Sequence, residues 1–489
     1  MRRADRFPRA LRGAALALPI AVALAGCNLA PAYKVPATPV AAPYRDTGPW
    51  VAAQPADQLP RADWWSLYGD PQLDQLQQHL LANNADLAAA LAHYQQAQAL
   101  FREARSGYFP QIGASAGAVR QRQSDNAPLR GATAPADYDT YSAGAQLSYE
   151  VDLWGQVRDT VAAGRDEAQA TAADLASAQL SLQAQLADDY LALRSLDQQL
   201  QLLQQSIDAY QKALHLTQEL HSGGIVSGLD VARAQTQLST VKSQWSQTAA
   251  QREQMQDAIA VLVGEPASTF SLPAQTAAIP LPQVPLAVPS TLLQRRPDIA
   301  AAERRTAEAN AEIGVARAAY FPSLTLDAQG GFLSKRYADL LSAPNHVWAL
   351  GPNLLFDLFD GGRRKAQVAA AKAAADEAGA KYRGVVLGAF QQVQDNLAEL
   401  DRLGAAMVDQ QAASAAAQRS LDLAMKQYKA GAASYLDVVQ AQTAALQAQS
   451  GVLSLGTQQL RASVQLIRAL GGGWSREQLT ANRPAHGKA

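Results

Sequence analysis

The sequence predicts a mainly α-helical chain with a small β component of membrane type, built twice over. Three observations predict it. Two long runs, Gln156 to His221 and Gly362 to Tyr428, contain no proline. Either run, if continuously helical, is roughly 100 Å long. Three blocks of residues recur in one order at nearly one offset, and four segments between the helices alternate apolar and polar residues as strands do.

The N-terminus carries an address. Arg2, Arg3, Arg6, Arg9 and Arg12 precede an apolar run from Gly13 to Gly26. That run is too short to span a bilayer and suits a signal-peptide core, so residues 1–26 read as a signal peptide. It ends in Leu24-Ala25-Gly26-Cys27, which resembles the bacterial lipobox, where the cysteine is lipidated and the chain is cut before it. The only cysteine falls at the one position where lipidation needs it, and a palmitate-bearing Cys27 is expected. Asn28 follows, rather than an aspartate, which points to outer-membrane sorting. Residues 27–66 then form a lipidated, extended N-terminal segment. The single cysteine excludes a disulfide framework and a cysteine-rich metal site. Net charge is −1, with only 17% charged residues. No basic surplus exists for nucleic acid, so no nucleic-acid partner is expected.

The chain then repeats. Ala104-Arg105-Ser106-Gly107-Tyr108-Phe109-Pro110 recurs as Ala316-Arg317-Ala318-Ala319-Tyr320-Phe321-Pro322. Asp152-Leu153-Trp154 with Arg158 recurs as Asp357-Leu358-Phe359 with Arg363. Gly224, Ser227 and Leu229-Asp230-Val231 recur as Gly431, Ser434 and Leu436-Asp437-Val438. The period is too long for a solenoid, so each half is a large unit. The first repeat spans 67–264, with strands at about 111–122 and 139–153 and a helical hairpin over about 156–264. A proline-rich connector covers 265–296. The second repeat spans 297–473, with strands at about 323–333 and 346–358 and a hairpin over about 362–471. A tail, 474–489, follows.

Within each half the order is helix, strand pair, very long helix, tight turn, returning helix. Asp70-Pro71 predicts an N-cap with proline at the first helical position, and Pro297-Asp298 opens the equivalent helix. Leu193, Leu196, Leu200, Leu203, Ile207, Tyr210 and Leu214 alternate by three and four, a coiled-coil seam. The second seam, around Leu400, Leu403, Met407 and Leu421, is richer in alanine. The turns, around Gly223, Gly224, Ile225 and Val226 and around Gly431, Ala432 and Ser434, form the hairpin tips.

The strands are long enough for a tilted crossing of an outer membrane. Tyr108, Phe109, Trp154, Tyr320, Phe321 and Phe359 stand where strands meet helices, as an interfacial girdle would. Four strands leave two open edges, which hydrocarbon cannot satisfy. Several chains must therefore share one barrel; two, three or four chains give eight, twelve or sixteen strands. Enzyme chemistry finds no support. Ser115 in Gly113-Ala114-Ser115-Ala116-Gly117 lies within an alternating strand rather than a strand-to-helix elbow. His215 and His221 are not spaced as metal ligands, and no nucleotide-binding loop occurs. No metal and no cofactor are expected beyond the covalent lipid on Cys27.

The lipobox, the segment Leu292-Leu293-Gln294-Arg295-Arg296-Pro297-Asp298-Ile299, the doubled Tyr-Phe-Pro and the doubled Leu-Asp-Val tips together resemble the TolC-like outer-membrane factor family. The likeness is strongest to the lipoprotein branch that serves resistance–nodulation–division efflux pumps. The resemblance implies a homotrimer with a shared twelve-stranded outer-membrane β-barrel above a long α-helical coiled-coil barrel in the periplasm. It implies outer-membrane lipid, a periplasmic adaptor docking at the tips and an inner-membrane transporter as partners. It implies a role as the passive exit duct for drugs or other small molecules. Asp437 falls on the first acid that rings the closed periplasmic aperture, and Gln440 replaces a second acid found in some members. Tyr428 and Asp230 match a tyrosine and an aspartate that link neighbouring hairpins in the closed state. Two other functions compete: a duct for secreted proteins, and a poreless periplasm-spanning structural lipoprotein. Girdled strand pairs argue against the second.

Overall fold

The computed structural model describes residues 28–38, 63–124, 135–282 and 295–476. The signal peptide, Cys27, the Leu292–Gln294 part of the connector and most of the C-terminal tail lie outside the described residues. The helices are α1 (Pro71–Asn83), α2 (Ala85–Ser106), α3 (Gln156–Ser222), α4 (Gly228–Leu262), α5 (Pro297–Ala318), α6 (Arg363–Lys429) and α7 (Tyr435–Ala469). The strands are β1 (Gln111–Arg122), β2 (Asp137–Glu150), β3 (Ser323–Ser334) and β4 (His346–Leu355). The duplication appears in the lengths. α3 and α6 each have 67 residues, α4 and α7 each 35, and α2 and α5 each 22. Among the described residues no helix is long and apolar enough to cross a membrane.

The chain divides into two compact units, each drawing on both repeats. The first comprises residues up to Pro36, Gln95–Ala170 and Ala302–Tyr382. It holds one antiparallel sheet in the order β1-β2-β3-β4. β2 pairs with β3 from Tyr141↔Ser334 to Glu150↔Thr325, so the two repeats meet in the sheet's centre. β1 and β4 are its edges. An extended segment also latches onto α5. Arg317 donates to the Leu29 carbonyl (2.9 Å), Asn310 to the Pro31 carbonyl (2.8 Å), and Tyr33 to the Glu303 carboxylate (2.8 Å). The three α5 residues are a heptad apart and so share one helix face.

β2 ends at Glu150 and β4 at Leu355, short of the expected 153 and 358. The residues that follow cap helices instead. Asp152 accepts from the backbone N–H groups of Val157 and Arg158, and Asp360 accepts from those of Gly362 and Arg364. In the second repeat the cap has thus moved from Asp357, the counterpart of Asp152, to Asp360. Asp357 keeps its ion pair with Arg363 (3.2 Å).

The second unit comprises Ala37–Tyr94, Thr171–Ala301 and Arg383–Ala489. Its main core joins Trp64, Tyr68, Leu73, Leu186, Tyr190, Leu193, Ile259, Val393, Leu397 and Leu466. A second cluster toward the tips joins Leu203, Ile207, Tyr210, Leu214, Leu238, Tyr428, Tyr435 and Val438. The seam therefore buries Leu193, Leu203, Ile207, Tyr210 and Leu214, with Leu196 and Leu200 half-buried. Asp70 caps α1 as its proline neighbour suggests, accepting from Gln72 N–H at 2.9 Å. Asn84 divides α1 from α2, a break the sequence pattern does not announce. Its Oδ1 accepts from Leu87 N–H while its Nδ2 donates to the Leu262 carbonyl.

Candidate functional site

The two hairpin tips are built alike. At each, a glycine in left-handed conformation (Gly224, φ 75; Gly431, φ 74) ends the long helix. Ile225 N–H reaches the Leu220 carbonyl and Ala432 N–H the Gln427 carbonyl, each at 2.8 Å, the six-to-one bond of a Schellman cap. A serine then starts the return. Ser227 Oγ accepts from Asp230 N–H (3.3 Å) and Ser434 Oγ from Asp437 N–H (3.4 Å). Asp437 closes a full capping box, its carboxylate accepting from Ser434 N–H (3.0 Å) and Oγ (2.8 Å). The first tip adds a link from His221 Nδ1 to the Val226 carbonyl (2.9 Å). Ile225, 71% exposed, projects from that tip, while Gly223, Gly224, Gly431, Ala432 and Ser434 leave small, open surface.

The tips differ in charge compensation. Arg233 pairs with Asp230 at 3.3 Å one helical turn away. At the repeat-equivalent position, 207 residues on, stands Gln440. Among the described residues Asp437 has no ion pair, so its negative charge is offset only by the helix start.

Within the chain, Tyr428 spans the two hairpins. Its ring is 5% exposed and packs edge-to-face on Tyr435, with centroids 5.3 Å apart. Its hydroxyl donates to Thr217 Oγ1 at 3.3 Å. Asp230 is instead taken up by Ser227 and Arg233, because a carboxylate at the third position of α4 is drawn to the helix start and the nearby guanidinium. Near the tips, Tyr210 to the Gln442 carbonyl (3.2 Å) and Gln237 to Thr443 (3.2 Å) also tie the hairpins. Burial first, then neighbouring Tyr428, Tyr210 and Asp230, push the Tyr435 hydroxyl up to about 12.

In the other unit, Trp154 stacks on Phe321 (4.6 Å) and donates to the Pro322 carbonyl (2.8 Å). Tyr108, Phe109, Tyr320 and Phe359 are exposed, Phe359 at 90%.

Sequence reasoning missed two polar clusters. Arg194 and Arg252 share buried Asp197, each at 2.8 Å. Asp197 also accepts from Gln275 N–H, and the arginines hold the Leu272 and Pro273 carbonyls, which pins the start of the connector. An arginine and an aspartate three apart inside an apolar seam were the available signal. Arg296 donates to Asp298, Gln392 and the Ala469 carbonyl, clamping the start of α5 to α6 and the end of α7. That bond set gives the Arg-Arg-Pro-Asp segment a structural reason. Among the described residues no group of acids, histidines or cysteines could hold a metal.

The outer membrane efflux protein family matches residues 76–265 and again 288–472. The chain belongs to this family. One match falls on each repeat. The pyoverdine export outer membrane protein OpmQ of Pseudomonas aeruginosa is 35% identical over 436 residues, 88% of this chain and 91% of its own length. The toluene efflux pump outer membrane protein TtgC of Pseudomonas putida is 33% identical, covering 94% of this chain and 96% of its own. Among solved structures, the outer-membrane channel OprN superposes with a TM-score of 0.84 at 28% identity, over 92% of this chain and all of that one. The Campylobacter jejuni CmeC outer membrane channel gives 0.86 at 25%, over 93% and 97%. The fold is that of TolC-like efflux channels, and the protein is the outer-membrane component of an efflux pump, extending into the periplasm.

Proposed function

We propose that three copies close one twelve-stranded barrel, and that this duct passively conducts drugs or other small molecules outward. One observation carries the reading: a four-stranded sheet whose register puts most apolar strand residues on one face and which has two open edges. Edges left open in hydrocarbon are costly, so the strands must continue into other copies. At about 4.8 Å between strands and a tilt of about 40°, twelve strands close at a backbone diameter of about 24 Å. Eight close at about 16 Å, which side chains fill. Twelve is thus the smallest multiple of four that leaves a lumen.

Tyr108, Phe109, Trp154, Tyr320, Phe321 and Phe359 form the girdle at the inner interface. Lipidated Cys27 anchors the same end: Leu29, two residues on, is held by Arg317 just before the Tyr320-Phe321 block. The small-residue tips dock a periplasmic adaptor, which joins the duct to an inner-membrane transporter of the resistance–nodulation–division type. That transporter supplies the energy and selects the cargo. Three Asp437 carboxylates ring the aperture, and the cross-hairpin bond from Tyr428 holds it closed. Mass measurement in detergent with planar-bilayer conductance tests the core of this. A trimer that conducts is expected; a monodisperse, non-conducting monomer refutes it.

A further inference from the structure

The strand register sorts the sheet's side chains into two unlike sets. Successive residues of a strand point to opposite faces, and paired residues share one. The pairings Ile112↔Leu147, Leu147↔Ala328 and Ala328↔Leu350 therefore place these four residues on one face. Tyr149, Leu326, Leu324 and Leu354 join them by the same rule. The other face carries Gln111, Ser148, Asp327 and Gly351 in one row, with Gln146 and Gln329 on one side of it and Glu150, Thr325 and Asn353 on the other.

Charge is distributed unequally between these faces. The polar face bears two acids in the strands, Asp327 and Glu150, and no base. The strands' two arginines, Arg120 and Arg122, belong to the apolar set at its far end, directly opposite Asp139 and Asp137, and His346 falls on that face too. The acids of the polar face have no such counterpart. Asp327 is also held in place: its carboxylate accepts from Ser148 at 2.7 Å and from Thr325 at 3.2 Å. Glu150 is paired with Thr325 and so lies diagonal to Asp327 on the same face. Neither acid belongs to the tips, and the conduction reading above does not use them.

We propose that Asp327 and Glu150 are the charge filter of the barrel lumen. They favour cations and cationic or zwitterionic small molecules over anions, separately from any acid ring at the tips. The inference rests on the shared trimeric barrel of the preceding section, in which the apolar face meets lipid and the polar face lines the lumen. Three copies then set six carboxylates in one lumen, the two of each chain about 7 Å apart in register along the strands. The Debye length in physiological salt, about 8 Å, is comparable to the distance from such a wall to the axis. The field of the carboxylates therefore reaches a passing solute.

The test is the reversal potential of the purified full chain in planar bilayers under a KCl gradient. It is run in an Asp437→Asn background so that tip acids do not set the result. That background should prefer potassium over chloride, and Asp327→Asn with Glu150→Gln should lower the permeability ratio by about twofold or more. Gln329→Lys, which adds a base to the same face without disturbing the Ser148–Asp327 bond, should lower it too. A ratio unchanged in both variants overturns the filter while leaving the barrel standing. A background protein that runs as a monodisperse monomer in detergent and does not conduct overturns the barrel reading, and the filter with it.

Discussion

Removing one hydroxyl from Tyr428 should loosen the closed aperture. The group is buried, and its partner Thr217 is fully buried as well. Thr217 spends its own proton on the Ala213 carbonyl at 2.8 Å, so its oxygen is the acceptor for Tyr428. Tyr428→Phe leaves that lone pair without a donor and keeps the ring contact with Tyr435. A net loss of about 0.5–1 kcal/mol per chain follows for a neutral bond at 3.3 Å. If the three hairpin pairs of a trimer open together, the losses sum to about 1.5–3 kcal/mol, shifting the closed–open balance by roughly 10- to 150-fold. Single-channel recording should read this as a rise in resting open probability. Thr217→Val should reproduce it, and the double variant should add little, since both remove the same bond. Additive effects, or a resting conductance equal to wild type, would refute the assignment of this bond to gating.

Four further predictions test other parts of the molecule. Cys27→Ser should abolish palmitate incorporation in metabolic labelling while the barrel still inserts; label persisting in the mutant sinks the lipobox reading. Arg296→Ala should lower stability by about 2–4 kcal/mol, read as a drop in thermal midpoint, because a buried guanidinium with partners on three segments is lost. Arg296→Lys should recover little, since one ammonium cannot reproduce the fork. Glu308 is pushed up to about 7 by burial and by Glu167 and Glu312. The folded chain therefore holds a proton there that the unfolded chain releases near the ordinary glutamate value, and stability from this group falls as pH rises from about 4.5 to 7. Glu308→Gln should flatten that part of the melting-temperature profile. Gln440→Arg should place a guanidinium beside Asp437 as Arg233 stands beside Asp230, weakening block by a trivalent cation in bilayer recordings; block as strong as wild type would remove Asp437 from the aperture.

The features that could be read from the sequence are those set by local chemistry. Helix length follows from where glycine turns a proline-free chain, so the limits of α3 and α6 lie within a residue or two of Gly155 and Gly223 and of Gly362 and Gly431. Strand alternation follows from one face meeting an apolar environment, and the tips follow from a glycine and a serine at fixed spacing. What escaped reading depends on partners far along the chain. Tyr33 meets Glu303 across 270 positions, and Tyr428 meets Thr217 across 211. Asn84 can cap α2 locally, through Leu87 N–H, but its other hold, on the Leu262 carbonyl, lies 178 positions away. Periodicity reports which face of an element is buried and is silent about what buries it.

The duplication makes the tips an internal comparison. Both descend from one plan, and both keep the glycine, the serine and the aspartate that terminate one helix and start the next. Capping chemistry alone therefore accounts for Asp230 and Asp437 equally. It does not account for arginine at 233 where the second repeat has Gln440, since an i,i+3 pair with a partly exposed first-turn acid contributes only about 0.3–0.5 kcal/mol. A neutralised carboxylate at one tip and a bare one at the other is an electrostatic difference with little consequence for folding. Its consequence falls on whatever approaches the tips from the periplasm. An uncompensated acid attracts cations and hydrogen-bond donors, whereas a paired one presents a nearly neutral surface. The asymmetry supports the proposal that the second hairpin carries the charged aperture, with the first, of the same backbone, as the plainer packing partner.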